Sequence, residues 1–264
     1  VKEIRVLDGG YISWVYGSRQ FSYLIWSQAR IKYLESVILQ DSKTLLDRKK
    51  FFPPYKSHRE QRVIDNPRLL ETQVRVMKFK KYLWRDPAFE LAHVEGLEAD
   101  DLIAVAATVH DRVRVIGADK DLLQISQRRL TIEKIDGSFV TFPTFVKRLP
   151  KTLWPHISDE WDIILILSII GDRSDDIPRI LPPRDFDPLI KILHEKKPFS
   201  AAAEHFGEDF IRNLYISVLP GPWAFDPIPE PSEMPELLES GTFPMNMEIR
   251  KDILEVLNGT ERDL

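Results

Sequence analysis

Three aliphatic runs each end on an acid: residues 4–7 on Asp8, residues 36–40 on Asp41, and residues 113–118 on Asp119, with Asp121 two positions further on. Such runs read as buried parallel strands, and in an open parallel α/β sheet functional groups gather beyond the carboxyl ends of the strands. The pattern therefore sends Asp8, Asp41, Asp119 and Asp121 to one crevice, together with Glu98, Asp100 and Asp101 from the start of a following helix. Asp119 and Asp121 project to one side of an extended chain. Glu98 and Asp101 share a face if both are helical, whereas Asp100 reaches the crevice if Glu98 precedes the helix. Bare carboxylates resist this crowding: at an effective dielectric near 20, two like charges about 4 Å apart repel by roughly 4 kcal/mol. A divalent cation removes the conflict. Oxygen donors with almost no histidine nearby favour Mg²⁺ or Mn²⁺ over Zn²⁺.

A second group of acids, Asp172, Asp175 and Asp176, follows Gly171. Its residue types suit a turn that ends one helix and caps the next as well as they suit a ligand set. The chain is acidic, with net charge −4, but residues 43–62 are basic. There Lys43, Arg48, Lys49, Lys50, Lys56, Arg59 and Arg62 outnumber Asp47 and Glu60, and Phe51, Phe52 and Tyr55 lie among them. Such a segment can grip phosphates and stack on bases, although charge runs are usually solvated surface. Trp14, Trp84, Trp154 and Trp161 read as core. His58, His93 and His110 show no paired metal spacing, and no G-x-S-x-G elbow or Walker loop occurs, so zinc hydrolysis, serine acyl transfer and nucleotide hydrolysis are unsupported.

Strand, helix and strand at these spacings predict a doubly wound α/β core. Gly9 and Gly10 turn the chain after Asp8 into an aromatic amphipathic stretch reaching Tyr33. Pro53 and Pro54 interrupt any helix, which makes residues 45–68 a loop or arch with short helical pieces. Leu70, Val74, Met77 and Leu83 fit a helix over residues 67–84, a short strand follows near residues 89–93, and an alanine-rich helix opens at Glu98 to Asp101. Beyond residue 150 the chain turns helical: a buried helix through residues 163–170 with Ser158 as cap, then helices at residues 187–195 and 200–214. Residues 220–244 are proline-rich and read as an extended connection to a last helix near residues 247–257. A chain of 264 residues without cysteine has no disulfides or thiolate metal sites. The absence of a signal-peptide pattern and of any long apolar run gives the expectation of a cytoplasmic protein without a membrane segment.

The motifs resemble the 5′-nuclease superfamily of flap endonucleases, polymerase-associated 5′-3′ exonuclease domains and phage ribonuclease H-type exonucleases. Arg48, Pro53, Tyr55, Lys56 and Arg59 are similar to its arginine, proline, tyrosine-lysine and arginine signature. Residues 96–101 resemble its G-x-E-A-D-D element, residues 118–124 its A-D-K-D-L-x-Q element, and residues 171–178 its G-D-x-S-D-N-x-P element, with Asp176 in place of asparagine. The resemblance implies a PIN-like fold and a C-terminal helix-three-turn-helix-like region. It divides the chain into a catalytic core over residues 1–150 with an arch at about residues 43–68, a helical DNA-binding region over residues 151–219, and a proline-rich connection and terminal helix over residues 220–264. It implies one Mg²⁺ or Mn²⁺ among Asp8, Asp41, Glu98, Asp100, Asp101 and Asp119, and a second among Asp121, Asp172 and Asp175. Lys56 and Arg59 become catalytic cations, and Arg48, Tyr55, Lys56 and Arg59 nucleic-acid contacts.

The family's glycine-rich K⁺-binding hairpin is missing after Pro178, which puts a K⁺ site in doubt and leaves Arg179 and Arg184 to take part of its grip on DNA. The implied activity is 5′-3′ exonuclease or flap endonuclease cleavage of DNA, extending to RNA–DNA hybrids, by a phage-type monomer working beside a replication polymerase or single-strand-binding protein. A PIN-type single-strand ribonuclease and a non-catalytic nucleic-acid binder with a relic site are the alternatives.

Overall fold

The aliphatic runs ending at Asp8, Leu39 and Ile116 form the middle of one sheet in a computed structural model that describes residues 3–34, 36–128, 130–182 and 184–259. Its strands are β1 (Glu3–Asp8), β2 (Ser36–Leu39), β3 (Leu91–Ala92), β4 (Arg112–Ile116), β5 (Leu130–Glu133) and β6 (Phe139–Val140), in the order β3-β2-β1-β4-β5-β6. Every pairing is parallel except β5 with β6. Leu7 pairs with Ile38 on one side and Ile116 on the other, so three strand ends stand level and Asp8, Asp41 and Asp119 leave the sheet at the same edge. The chain order reverses between β1 and β4, the place where an open α/β sheet forms its crevice. The hairpin of β5 and β6 is an addition to the sequence reading, which assigns no strand to residues 130–140; its only signal is the short alternation of buried Leu130 and Ile132 with Thr131 and Glu133.

The arch contains the short helices Asp47–Phe51 and Ser57–Asp65 and runs into the long helix Pro67–Leu83. Asn66 caps that helix by accepting the Leu69 N–H, and Pro67 occupies its first turn, where no donor is needed. The expected apolar stripe is only partly the buried one. Leu70, Val74 and Met77 are exposed, and Val76, Phe79 and Leu83 face inward. Val76 and Phe79 lie close against Gly17 of the helix Gly9–Gly17, where a Cβ would collide with both.

The buried helix Trp161–Ile170 has Glu160 at its N-cap, and the preceding Asp159 accepts the Trp161 N–H at 2.9 Å; Ser158, the expected cap, donates to Asp162 instead. Gly207, at φ 61, divides the expected 200–214 helix into Pro198–Phe206 and Glu208–Ser217. The proline-rich stretch holds the helix Met234–Glu239, and the last helix begins only at Lys251; residues 260–264 lie outside the described residues. One buried cluster joins sheet residues Val6, Leu39 and Val115 to Leu165, Phe210, Phe225, Phe243 and Ile253, so the C-terminal helices are packed into the core of the sheet. Tyr16, Trp26 and Phe79 belong to a second cluster, with Leu7 and Ile38. Among the described residues no helix is long and apolar enough to cross a membrane.

Candidate active site

Each strand-end acid uses one oxygen to fix the backbone around it. Asp8 caps the helix Gly9–Gly17 by accepting the Tyr11 N–H at 3.0 Å, and Asp41 accepts the Ala99 N–H at 3.0 Å, tying the end of β2 to the helix Ala99–Val109. Asp119 accepts the Asp121 N–H at 2.9 Å. Gly9 permits the close approach this needs, because a Cβ there would run into Gln40 and the Leu39 carbonyl. Glu98 stands before its helix as the N-cap, the arrangement that lets Asp100 face inward.

These five acids and Asp121 and Asp175 line one crevice of about 470 Å³, with Trp14, Lys56, Arg59 and Lys120 also on its walls. Burial, reinforced by Asp41 and Asp119, pushes the Asp8 carboxyl up to about 7. Burial with the charges of Asp119 and Asp8 holds Asp100 well above the usual range, and burial with Asp119 brings Asp121 to about 7. A set that resists ionising together in this way is a set that wants a cation.

A second, tighter void of about 20 Å³ lies between Glu98, Asp100, Asp121, Asp172 and Asp175, enough for one water-sized occupant. Ser217 lines it, and its buried Oγ has no hydrogen-bond partner. All the acidic donors are oxygens and no histidine lines either space, so the residues fit a hard divalent ion. Among the described residues, no three His, Asp or Glu side chains converge as a ready-made coordination group. Cationic side chains hold several of the oxygens instead.

The arch supplies most of those cations. Lys56 Nζ bonds to Glu98 Oε1, and the Tyr55 hydroxyl donates to Glu98 Oε2 at 2.7 Å. Burial alone would raise the Glu98 carboxyl, but Lys56 and Arg48 bring it down to about 2. Arg59 Nη2 lies 2.5 Å from Asp175, and Lys120 Nζ 2.5 Å from Asp172 and 2.9 Å from Asp121. The turn carrying Asp172 and Asp175 is closed by paired bonds between Asp172 and Ile177 and by Gly171 at φ 72. The Lys56 N–H donates to the Asp175 carbonyl, and Asp176 accepts the His58 N–H, so the base of the arch is fastened to this turn.

Three expected site residues are buried in internal hydrogen bonds, one of them Tyr55, 3% exposed with its hydroxyl on Glu98. Arg48, expected to contact nucleic acid, is 3% exposed and donates to Asp101 at 2.5 Å and to the Ile216 and Val218 carbonyls at 2.9 and 3.0 Å. Its donors are consumed inside the protein, beside the smaller acidic void. Asp101, expected among the metal ligands, is fully buried and accepts from Arg48, the Glu98 N–H and the Gly221 N–H, and it lines neither acidic space. Arg179 and Arg184 are exposed; Arg179 donates to the Leu181 carbonyl and lines a groove of about 760 Å³ with His58, Arg62 and Arg173.

Trp14 reverses its expectation as a core residue. It is 45% exposed and lines both the crevice and an adjoining groove of about 700 Å³ with Arg59, Arg62, Ile64 and Leu69. Helical phase was the available signal: with Ile12, Ser13, Tyr16 and Gly17 buried, position 14 faces the other way. The buried tryptophans are Trp26 and Trp223.

An acidic crevice at the carboxyl edge of a mostly parallel sheet, with a basic helical arm fastened across its rim, defines an α/β protein with a carboxylate-lined site. The sequence profile of the 5′-3′ exonuclease, N-terminal resolvase-like domain matches residues 2–148, and the chain belongs to that family. It is 32% identical to DNA polymerase I of Borreliella burgdorferi over 149 residues, spanning 54% of this chain and 15% of that protein. The thermostable DNA polymerase I of Thermus thermophilus is 25% identical over 158 residues, 56% of this chain and 16% of the relative. Among solved structures, the fold is similar to T5 5′-exonuclease with bound divalent zinc ions, at TM-score 0.61 and 19% identity, covering 97% of this chain and 100% of the other. It is also similar to the bacteriophage T5 flap endonuclease in a pseudo-enzyme-product complex with DNA and metal ions, at TM-score 0.62 and 16% identity over 99% of this chain and 100% of the other.

Proposed function

We propose that the chain is a divalent-metal-dependent 5′-nuclease that hydrolyses phosphodiester bonds at 5′ ends and 5′ flaps of duplex DNA, and at 5′ ends of RNA–DNA hybrids. The observation that carries this reading is the meeting of the β1, β2 and β4 acids with Glu98, Asp100 and the Asp172–Asp175 turn in one place, with Lys56 and Arg59 on its rim. Asp8, Asp41, Glu98, Asp100 and Asp119 would hold one Mg²⁺ or Mn²⁺, and Asp121, Asp172 and Asp175 a second. When bound, such ions lower the pKa of water and neutralise charge on attacking and leaving oxygens.

The chain's own groups do the rest. Lys56 and Arg59 place positive charge where the phosphate becomes more negative. Exposed Trp14 stands on the crevice wall and offers a face on which a base can stack, while buried Tyr55 holds Glu98 from within. Asp101 acts indirectly, holding Arg48 and, through the Glu98 N–H, the start of the acidic helix. The single strand passes the arch, and the helical region 151–219, a degenerate helix-three-turn-helix, meets the duplex. Arg62, Arg173 and Arg179 around their groove serve there in place of a K⁺-binding hairpin.

The relatives named DNA polymerase I and the phage flap endonuclease support a replication or repair setting, with a phage-type monomer working beside a polymerase or single-strand-binding protein in bacterial or phage-infected cytoplasm. The arch disfavours a PIN-type single-strand ribonuclease, and the full acidic set disfavours a relic binder. End-labelled flap, nicked and hybrid substrates, each with and without Mg²⁺, test the reading. Asp119→Ala is expected to abolish cleavage while keeping DNA binding; wild-type turnover by that variant overturns the assignment.

A further inference from the structure

The two halves of the acidic site are not equivalent. Among the described residues, Asp8, Asp41, Asp100 and Asp119 have no ion pair with a cationic side chain, Glu98 alone in that half being held by Lys56 and Arg48, and Asp8, Asp41 and Asp119 each spend only one oxygen on a backbone N–H. Asp172 is different. Its Oδ1 accepts both the Ser174 N–H at 2.7 Å and the Ser174 hydroxyl at 2.6 Å, which leaves Oδ2, and Lys120 Nζ sits 2.5 Å from that oxygen. The same ammonium is 2.9 Å from Asp121 Oδ1. Lys120 thus bridges two of the three carboxylates that would hold a cation in this half, Arg59 taking the third, Asp175, and it does so from the residue next to Asp121, with no freedom to diffuse away.

We propose that Lys120 is a tethered counter-cation that keeps the Asp121–Asp172 half of the site closed to divalent ions until its ammonium is displaced. This rests on the reading of the crevice as a divalent-metal site. A cation and Lys120 compete for one oxygen of Asp172, so loading of this half is coupled to movement of the lysine. The ammonium, once displaced, remains on the crevice wall, where it is available to a phosphate. The open half fills first, and the closed half fills at higher metal concentration.

Calorimetric titration of the full chain with Mn²⁺, without DNA, tests this directly. Wild type is expected to show one tight and one weak binding event. Lys120→Met removes the competitor and strengthens the weak event roughly tenfold, within the usual range for coupling between two ligands, leaving the tight event unchanged. Lys120→Arg keeps the weak event weak. An unchanged or weakened second event in Lys120→Met, with the first intact, overturns the proposal alone. Loss of both events in wild type overturns the metal reading with it.

Amine acylation of the wild-type chain, read by mass spectrometry, requires no variant to fold. Modification at Lys120 is expected to rise when Mg²⁺ is added to saturation, and labelling that stays constant or falls overturns the displacement.

Discussion

Replacing Arg48 separates an internal strut from a DNA ligand. In Arg48→Met the Ile216 and Val218 carbonyls lose their donors, each bond contributing about 1 kcal/mol, and fully buried Asp101 loses its counter-charge. Removing one partner of a buried ion pair costs about 3–5 kcal/mol because the other charge is left behind. For a domain of about this size each kcal/mol lowers the melting temperature by about 2–4 °C, so a mid-range loss lowers it by roughly 8–16 °C. Urea unfolding followed by far-UV circular dichroism in EDTA measures the free energy. Arg48→Met/Asp101→Leu is expected to recover part of it, since an apolar pair replaces the orphaned charge; the recovery is incomplete because the Glu98 and Gly221 N–H groups lose their acceptor. At a temperature where the single variant is folded, the salt dependence of its DNA affinity should match wild type, because no phosphate contact has been removed. A variant within about 1 kcal/mol of wild-type stability, but with a shallower salt slope, would refute the buried-strut account.

The carboxyl shifts predict an unusual pH response. Asp8 and Asp121 titrate near 7 when folded against a usual 3.8. The folded chain therefore binds more protons than the unfolded chain between these values, and metal-free stability falls as pH rises through that window. Urea midpoints in EDTA should be lower at about pH 7.5 than at about pH 5, and Mg²⁺ should shrink the difference. Glu98 has the opposite sign: its contribution is present above the usual 4.5 and is lost as pH falls towards 2. Trp14→Ala should weaken DNA binding by about 1–3 kcal/mol, the range for a base stacked on an aromatic ring, with Trp14→Phe restoring most of it. Equal affinity in the alanine variant would remove Trp14 from the entry. Arg59→Met should lower the cleavage rate without a matching loss of stability, because its pairing with Asp175 is half-exposed and worth about 0–1 kcal/mol.

The strand-end acids were legible because a buried parallel strand announces its own end, and the level register of β1 with β2 and β4 then fixes which acids meet. The face of the helix Pro67–Leu83 was harder to read. Its sequence carries two apolar stripes, and the buried one was selected by Gly17, a residue about sixty positions away whose missing Cβ admits Val76 and Phe79. Arg48 was put outside by its place in a basic segment and a family signature, and Trp14 inside by residue type, as average burial dictates. Their exchange has one physical cause. A floor dense in carboxylates requires counter-charge from within the protein wherever an acid is sealed from solvent, as Asp101 is, and an aromatic face can serve an incoming base only if core packing gives it up. Local rules are most readily broken where a site demands it, so an arginine buried behind the small acidic void and a tryptophan exposed on the wall of the crevice point to that region as independently as the aspartates do.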